Sequence, residues 1–129
     1  MALTVREGKQ EQERMERIEY QGAGVTLIAD ADGPADAIPV LFLHGGGQTR
    51  QSWGHAIAQA AKAGYRAISL DLRGHGESGW SPDGVYDLTL FAADVRAVTA
   101  TLARPPVLVG ASLGGLAGLM VAAYPPLPV

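Results

Sequence analysis

Short apolar runs alternate with amphipathic stretches along most of this chain, and the alternation predicts strands separated by helices. Pro39–Leu43 is continuously apolar and too short for a helix, as is expected of a strand buried on both faces. Tyr65–Leu70 and Val107–Val109 are predicted to be the next two strands. Because helical patterns separate these runs, the pattern favours a parallel sheet with right-handed crossovers.

Two amphipathic stretches predict helices between the strands. Residues 51–63 place apolar side chains at helical spacing, and Gly64 follows where a C-terminal cap belongs. Asp87 is a good N-cap for a second helix that we expect to reach Ala103. Its apolar stripe consists of Phe91, Val95, Val98 and Leu102. The sequence Arg104-Pro105-Pro106 would end that helix.

The N-terminal part has a different pattern. Arg17–Tyr20 and Val25–Ala29 are predicted to be two strands separated by glycines, which would give the sheet an antiparallel start. Residues 1–16 are charged with few apolar positions, and we interpret them as a solvated, frayed leader rather than a binding arm. Residues 17–129 would then form the folded domain.

The amino-acid composition of the chain excludes several classes of function. The 129 residues are 47% hydrophobic and 18% charged, which is typical of one globular domain. A net charge of −3 provides no basic surface for nucleic acid. The sequence lacks cysteine, so it has no disulfide framework or thiolate metal site. We find no signal-peptide pattern and no apolar run of membrane-spanning length, and expect a cytoplasmic protein without membrane contact.

The sequence Gly110-Ala111-Ser112-Leu113-Gly114 follows the last predicted strand directly and matches the pattern G-x-S-x-G. It runs into an apolar stretch to Tyr124, predicted to be a helix buried under the sheet because it is apolar nearly all round. A strand, a sharp turn and a helix in this order would expose the Ser112 hydroxyl. The alternative is a plain glycine-rich turn with a capping serine.

Two further motifs precede this one, Leu43-His44-Gly45-Gly46-Gly47 and the run from Asp71 to Ser78, DLRGHGES. With all three in this order, the chain resembles the N-terminal part of α/β-hydrolase-fold enzymes over residues 17–124. The resemblance implies an α/β protein with an incomplete α/β-hydrolase fold: a mostly parallel sheet, strands one to five, with helices on both faces.

The resemblance also implies site residues. Ser112 would be the catalytic nucleophile, which needs a neighbouring base to take its proton. The amides of Leu113 and Gly46 would form the oxyanion hole, with Gly45 or Gly47 as alternatives to Gly46. The substrate would be a small acyl compound, and we expect neither a metal nor another cofactor.

The other chemistry-bearing residues are assigned structural roles. By resemblance, His44 would orient the oxyanion loop rather than act as the base. His75 lies in a tight turn beside the elbow, and we expect its neighbours to hold that loop by hydrogen bonds and charge pairing: Asp71, Arg73, Glu77 and Ser78. His55 is predicted to lie on a helix surface. Trp53 is expected to pack in the core, and Trp80 is a candidate for lining a pocket.

The family's triad continues with an acid and a histidine after the serine, but residues 115–129 contain no Asp, Glu or His. We therefore expect an N-terminal fragment without the lid, the last strands, the acid and the base. The strand before Ser112 would then be an exposed apolar edge, and we expect marginal stability or self-association through it.

These features leave more than one function open. The first hypothesis is a serine hydrolase that acts on an ester, thioester or carbon–carbon bond through an acyl-enzyme. A serine at the elbow argues against similar epoxide hydrolases and dehalogenases, which use Asp there, and leaves perhydrolases and lactonases open. The alternative is a catalytically inactive truncated product or an edge-strand binding module. A phosphate-binding loop at Gly45–Gly47 lacks the required G-x-G-x-x-G or P-loop spacing.

Overall fold

Five strands form one sheet in the computed structural model, which describes residues 15–123. The strands are β1 (Glu16–Gln21), β2 (Thr26–Asp32), β3 (Pro39–Leu43), β4 (Arg66–Leu70) and β5 (Val107–Gly110). Each lies at a predicted position, with ends that differ by at most a few residues. Most of the predicted leader, residues 1–14, and Tyr124 lie outside the described residues.

The sheet has the order β1-β2-β4-β3-β5 and is mixed. β1 pairs with β2, and β2 with β4, in antiparallel fashion, whereas β3 lies between β4 and β5 and is parallel to both. Within this sheet, β2 therefore runs against the other four strands. The predicted antiparallel start and the parallel remainder are both confirmed.

Helices cover both faces of the sheet, as predicted. A 3-10 turn (Arg50–Trp53) leads into α1 (Gly54–Lys62), and the other helices are α2 (Leu88–Thr99) and α3 (Leu113–Ala123). Side chains alternate between the two faces along each strand, so β3 contributes residues to two hydrophobic clusters, one on each face of the sheet. Val40 and Phe42 pack with Ile57 of α1, whereas Leu41 and Leu43 belong to a cluster that includes residues of α2 and α3. Trp53 packs on Phe42, with ring centroids 5.3 Å apart, as expected of a core residue.

The ends of the first two helices only partly match the predictions. Gly64 follows α1 with φ of 95°, a left-handed conformation that suits glycine at a helix C-terminus. The second helix ends at Thr99 instead of Ala103. The hydroxyls of Thr99 and Thr101 donate to carbonyl oxygens three residues earlier, at 3.0 and 2.7 Å, and so compete with continued helix formation. The Asp87 side chain makes no capping hydrogen bond.

The prediction that the helix after Ser112 is buried under the sheet is confirmed for only one of its faces within the described residues. Gly114, Ala117 and Gly118 of α3 are buried against the sheet, but Leu116 and Leu119 are 54% and 65% exposed. The apolar composition of α3 therefore exceeds what this sheet covers. In the described part of the chain, no helix combines the length and the apolar character needed to cross a membrane.

The strand register brings the sequence motifs together at the carboxyl ends of the parallel strands. Leu43 is level with Leu70 of β4 on one side and with Gly110 of β5 on the other. Because the three strands are parallel, the segments that follow them all leave the sheet at the same end. These segments begin with His44, Asp71 and Ala111.

Candidate active site

Ser112 lies in the turn that joins β5 to α3, and its backbone is in the left-handed region. Its φ of 51° is the only positive value of a non-glycine residue among residues 15–123. Such a conformation costs an L-residue about 1–2 kcal/mol and is most often found where function requires it. Ser112 is exposed, so the turn presents its hydroxyl at the carboxyl ends of the parallel strands.

The glycines around Ser112 are required by close packing. A Cβ at position 110 would lie 2.5 Å from the Gly115 nitrogen, and one at position 114 would fall on the carbonyl oxygen of Leu43. Both contacts are with backbone atoms, which cannot move aside as a flexible side chain can. The turn can therefore form only because both positions lack a side chain.

Two hydrogen bonds tie this turn to the segment after β3. The Ala111 amide donates to the Leu43 carbonyl oxygen, and the Gly114 amide donates to that of His44, both at 3.1 Å. These bonds place Ser112 beside residues His44–Gln48, which the sequence analysis predicts to form the oxyanion loop and which we call by that name. A Cβ at Gly46 would lie 4.0 Å from Leu113 Cδ2, so the two residues predicted to form the oxyanion hole are neighbours.

Within the oxyanion loop, two of three glycine amides already have partners. Gly45 donates to Gln48 Oε1 at 2.9 Å, and Gly47 donates to His75 Nε2 at 3.0 Å. No hydrogen bond is present for the amides of Gly46 and Leu113 within residues 15–123. Leu113 is the first residue of α3, where helix amides lack an intrahelical partner and the helix dipole favours an anion. Two free amides beside a serine are able to bind a negatively charged oxygen.

His44 is buried, and both of its ring nitrogens have partners. Nε2 accepts from the Leu72 amide at 3.0 Å, and Nδ1 lies 2.8 Å from the Gly45 carbonyl oxygen, to which it donates. Burial lowers the pKa of His44, which favours this neutral form. A histidine engaged at both nitrogens has no lone pair free to take a proton from Ser112. Its position agrees with the expected structural role.

The other two histidines are equally unsuited to act as the base. His75 accepts from the Gly47 amide through Nε2, and its Nδ1 lies 2.9 Å from the carbonyl oxygen of Arg73. His55 is exposed on α1, which covers the opposite face of the sheet from α3. No described histidine therefore offers a free ring nitrogen to Ser112.

Asp71 holds the segment after β4, residues 71–79, against the start of the 3-10 turn. Its carboxylate accepts from the Arg50 amide and guanidinium and from the Glu77 amide. Arg50 also contacts Asp30 at 3.0 Å and Glu77 at 2.6 Å. Burial acts to lower the pKa of Arg50, but hydrogen bonds to Glu77, Asp30 and Asp71 outweigh it and raise that pKa. Glu77 and Asp71 therefore hold the loop by charge pairing, as we expected.

Arg73 and Ser78 hold the remainder of residues 71–79. The Arg73 guanidinium contacts both oxygens of Asp94, at 2.7 and 2.8 Å, and both side chains are buried. The hydrogen bond with Asp94 raises the pKa of Arg73. Ser78 donates to the Asp71 carbonyl oxygen and accepts from the Ile28 amide. Trp80, the candidate pocket residue, is 75% exposed.

Comparison with known protein families shows which family this chain belongs to. The model of the Alpha/beta hydrolase family matches residues 40–129, which is more than half of the chain. The chain belongs to the α/β-hydrolase family. The predicted family and fold class are therefore confirmed.

Similar α/β hydrolases carry different activities. A non-heme chloroperoxidase from Streptomyces lividans is 40% identical over 93 residues, 71% of this chain and 33% of that protein. Esterase Rv0045c from Mycobacterium tuberculosis is 41% identical over 88 residues, 67% of this chain and 28% of the esterase. The crystal structure of epoxide hydrolase VrEH1 from Vigna radiata has a TM-score of 0.81 and 28% identity, covering 88% of this chain and 37% of that one. The chain thus spans about a third of the length of these α/β hydrolases.

Sequence reasoning missed three residues that hold this site. Gln48 fixes the Gly45 amide, Arg50 joins three carboxylates, and Asp94 orders Arg73. A charged residue next to the apolar stripe of α2 could have indicated Asp94, but nothing in the pattern distinguishes Gln48 from an ordinary loop residue. Among residues 15–123, no cluster of His, Asp and Glu is arranged to hold a metal ion.

Proposed function

We propose that this α/β-hydrolase chain provides the nucleophile and oxyanion hole of a serine hydrolase that acts on an ester or related acyl bond. The observation that carries this function is the placement of Ser112. It is exposed, has a strained backbone, and adjoins the two amides of Gly46 and Leu113 that lack a partner among the described residues.

The chemistry follows from these groups. The Ser112 hydroxyl attacks the acyl carbon while a base takes its proton, and the carbonyl oxygen becomes negatively charged. The amides of Gly46 and Leu113 donate to this oxygen, and losing one such donor costs about 2.7–4 kcal/mol of transition-state stabilisation. When the tetrahedral intermediate collapses, the bond to the leaving oxygen breaks, the base returns its proton to that oxygen, and the alcohol departs while an acyl group stays on Ser112. Water then attacks the acyl-enzyme, releases the acid and regenerates the serine.

The base in this proposal is a histidine that the 129 residues do not contain. The three histidines present are His44 and His75, each engaged at both ring nitrogens, and His55 on the other side of the sheet. In this family the triad histidine follows the serine along the chain. We therefore assign the base to a histidine outside these 129 residues.

The residue at the elbow favours acyl chemistry over epoxide opening. The likeness to the epoxide hydrolase VrEH1 concerns the fold, at 28% identity. By the resemblance described above, epoxide hydrolases place an Asp at the elbow, and this chain has Ser112 there. The esterase relative supports an acyl substrate, at 41% identity.

The chloroperoxidase relative, at nearly the same identity, favours a second candidate. Hydrogen peroxide, in place of water, would attack the acyl group on Ser112 and leave as a peroxyacid. Both candidates share the acyl-enzyme and differ in the acceptor. Peroxyacid formed from an acyl ester and hydrogen peroxide, measured beside ester hydrolysis, separates them.

A fluorophosphonate probe tests the shared step, because it labels only a serine that a base activates. We expect labelling of the protein in extracts of its source cells, with mass spectrometry locating the adduct on Ser112. Ser112→Ala should abolish labelling, and Ser52→Ala, which changes another exposed serine, should leave it unchanged. An unlabelled Ser112 in folded protein would refute the hydrolase proposal and favour the alternative, an inactive product or an edge-strand binding module.

A further inference from the structure

The two peptide planes that flank Gly46 are each held by a different histidine. The peptide between Gly45 and Gly46 is held at its oxygen, which accepts from His44 Nδ1 at 2.8 Å and from the Gln48 amide at 3.1 Å. The peptide between Gly46 and Gly47 is held at its N–H, which donates to His75 Nε2 at 3.0 Å. These contacts restrict both backbone dihedrals of a residue that has no side chain to restrict them.

The partners of His75 define its tautomer. Nε2 must carry a lone pair because the Gly47 amide donates to it, and Nδ1 must carry the proton because the Arg73 carbonyl oxygen can only accept. Arg73 is itself ordered, since its guanidinium contacts Asp94, Ser81 and the carbonyl oxygen of Ala23. A continuous series of contacts therefore runs from Asp94 of α2 through Arg73 and His75 to the oxyanion loop.

The turn around His75 is built to aim this ring. Gly74 and Gly76 on either side have φ of 75° and 51°, a left-handed conformation that other residues adopt only with strain. A Cβ at Gly76 would also collide with the Asp71 carboxylate. The ring lies with its centroid 4.9 Å from that of His44 and 6.4 Å from that of Phe91. The half-buried ring is thus confined between the oxyanion loop and α2.

We infer that His75 is a positioning residue that anchors the oxyanion loop at Gly47 and so keeps the neighbouring Gly46 amide in place to bind the oxyanion. This inference depends on the proposed function only in assigning the Gly46 amide to the oxyanion hole. The contact between His75 and Gly47 does not depend on that function. His75 acts through the loop backbone. The Gly46 N–H lies in the peptide plane that His44 and the Gln48 amide hold, and His75 holds the next plane. Without the Nε2 acceptor, the peptide between Gly46 and Gly47 is free to rotate, and the loop loses one of the two anchors that keep the Gly46 amide in place.

Nuclear magnetic resonance of the ¹⁵N-labelled chain tests the contact without any activity. We expect a scalar coupling across the hydrogen bond between the Gly47 nitrogen and His75 Nε2. His75→Phe keeps a ring but removes the acceptor, and should speed amide exchange at Gly47 roughly tenfold, the equivalent of one hydrogen bond. His75→Gln supplies an acceptor oxygen and should restore much of the protection, whereas His55→Phe should have no effect. Unchanged resonances of Leu41 and Ile68 would show that the core remains folded.

The rate of fluorophosphonate labelling tests the functional consequence. In protein that labels at Ser112, we expect His75→Phe to slow the bond-forming step roughly tenfold, with initial probe binding unchanged, and His75→Gln to recover most of the rate. If His75→Phe labels as fast as the parent, the inference fails while the hydrolase proposal stands. If the parent does not label, the hydrolase proposal fails, and Gly47 exchange decides whether His75 positions the loop. No coupling in the parent, or unchanged exchange in His75→Phe, would overturn the inference.

Discussion

Arg50 contacts Asp71 through both its backbone and its side chain. The Arg50 amide donates to Asp71 Oδ1 at 2.7 Å, and its guanidinium contacts Oδ2 of the same carboxylate. The Asp71 side chain is fully buried and that of Arg50 is 5% exposed. Because Arg50 follows the oxyanion loop and Asp71 begins the next one, this pair joins the two segments that surround Ser112.

Replacing Asp71 by Asn should strongly destabilise the protein. Asp30 and Glu77 still pair with Arg50, but the Asn side chain turns one acceptor oxygen into an NH2 group that faces the N–H donors of Arg50 or Glu77. Leaving a buried donor without an acceptor costs about 1–3 kcal/mol, and more where the donor is charged. Glu77→Gln removes a contact to the same guanidinium, but the Glu77 side chain is 54% exposed, so we expect a much smaller loss. Urea unfolding of the two variants compares them. Equal losses would show that burial of the pair is not what stabilises these loops.

Replacing Gly114 by Ala should also destabilise the chain, because the added methyl group would fall on the Leu43 carbonyl oxygen. Backbone shifts that relieve such overlap cost about 1–3 kcal/mol. Gly118→Ala in the same helix is the matched control, since its Cβ would meet side chains at 3.5 Å or more. There we expect no loss, and a gain of up to about 1 kcal/mol from helix propensity. A lower melting temperature for Gly118→Ala than for Gly114→Ala would contradict the close packing of Gly114 on Leu43.

The positions of the strands along the chain and the place of the elbow could be predicted because they depend on local pattern. Pro39–Leu43 has no polar residue and is too short for a helix, and Gly110 is required by a contact with Gly115, five residues later. The ion pairs could not be predicted. Arg73 and Asp94 are 21 residues apart, and only the packing of α2 on the sheet brings them together. The pairing of His75 with Gly47 likewise depends on two loops from different strands.

Ser112→Gly should be more stable than Ser112→Ala, although both remove the hydroxyl. Glycine adopts a φ of 51° without the penalty of about 1–2 kcal/mol that alanine retains. Part of this gain is offset by the greater freedom of glycine in the unfolded chain, about 0.4–1 kcal/mol. We therefore expect a net difference of up to about 1 kcal/mol in denaturant unfolding. A more stable alanine variant would indicate that the turn does not strain residue 112.

Acidification should destabilise the fold through His44. Burial lowers the pKa of His44 from 6.5 in the folded protein, so below about pH 6.5 the unfolded chain takes up a proton that folded His44 does not. The free energy of unfolding therefore falls as the pH drops below 6.5, until folded His44 is protonated as well. His44→Gln keeps an acceptor but cannot titrate, and should show a shallower fall between pH 6.5 and 5.5. Parallel pH profiles of the two proteins would exclude this contribution.

We propose that a second copy of this chain pairs along β5, which forms an edge of the sheet within residues 15–123. β5 hydrogen-bonds to β3 on one side, and Val107 on the strand is 51% exposed. An apolar edge strand offers unpaired backbone groups to another edge strand, and a charge placed on it opposes such pairing.

Val107→Lys should therefore shift the chain toward monomer in sedimentation velocity. Val85→Lys, on an exposed loop residue away from the edge, is the control and should leave the distribution unchanged. A parent chain that is monomeric at all concentrations, or an equal effect of both lysines, would show that β5 is not the contact.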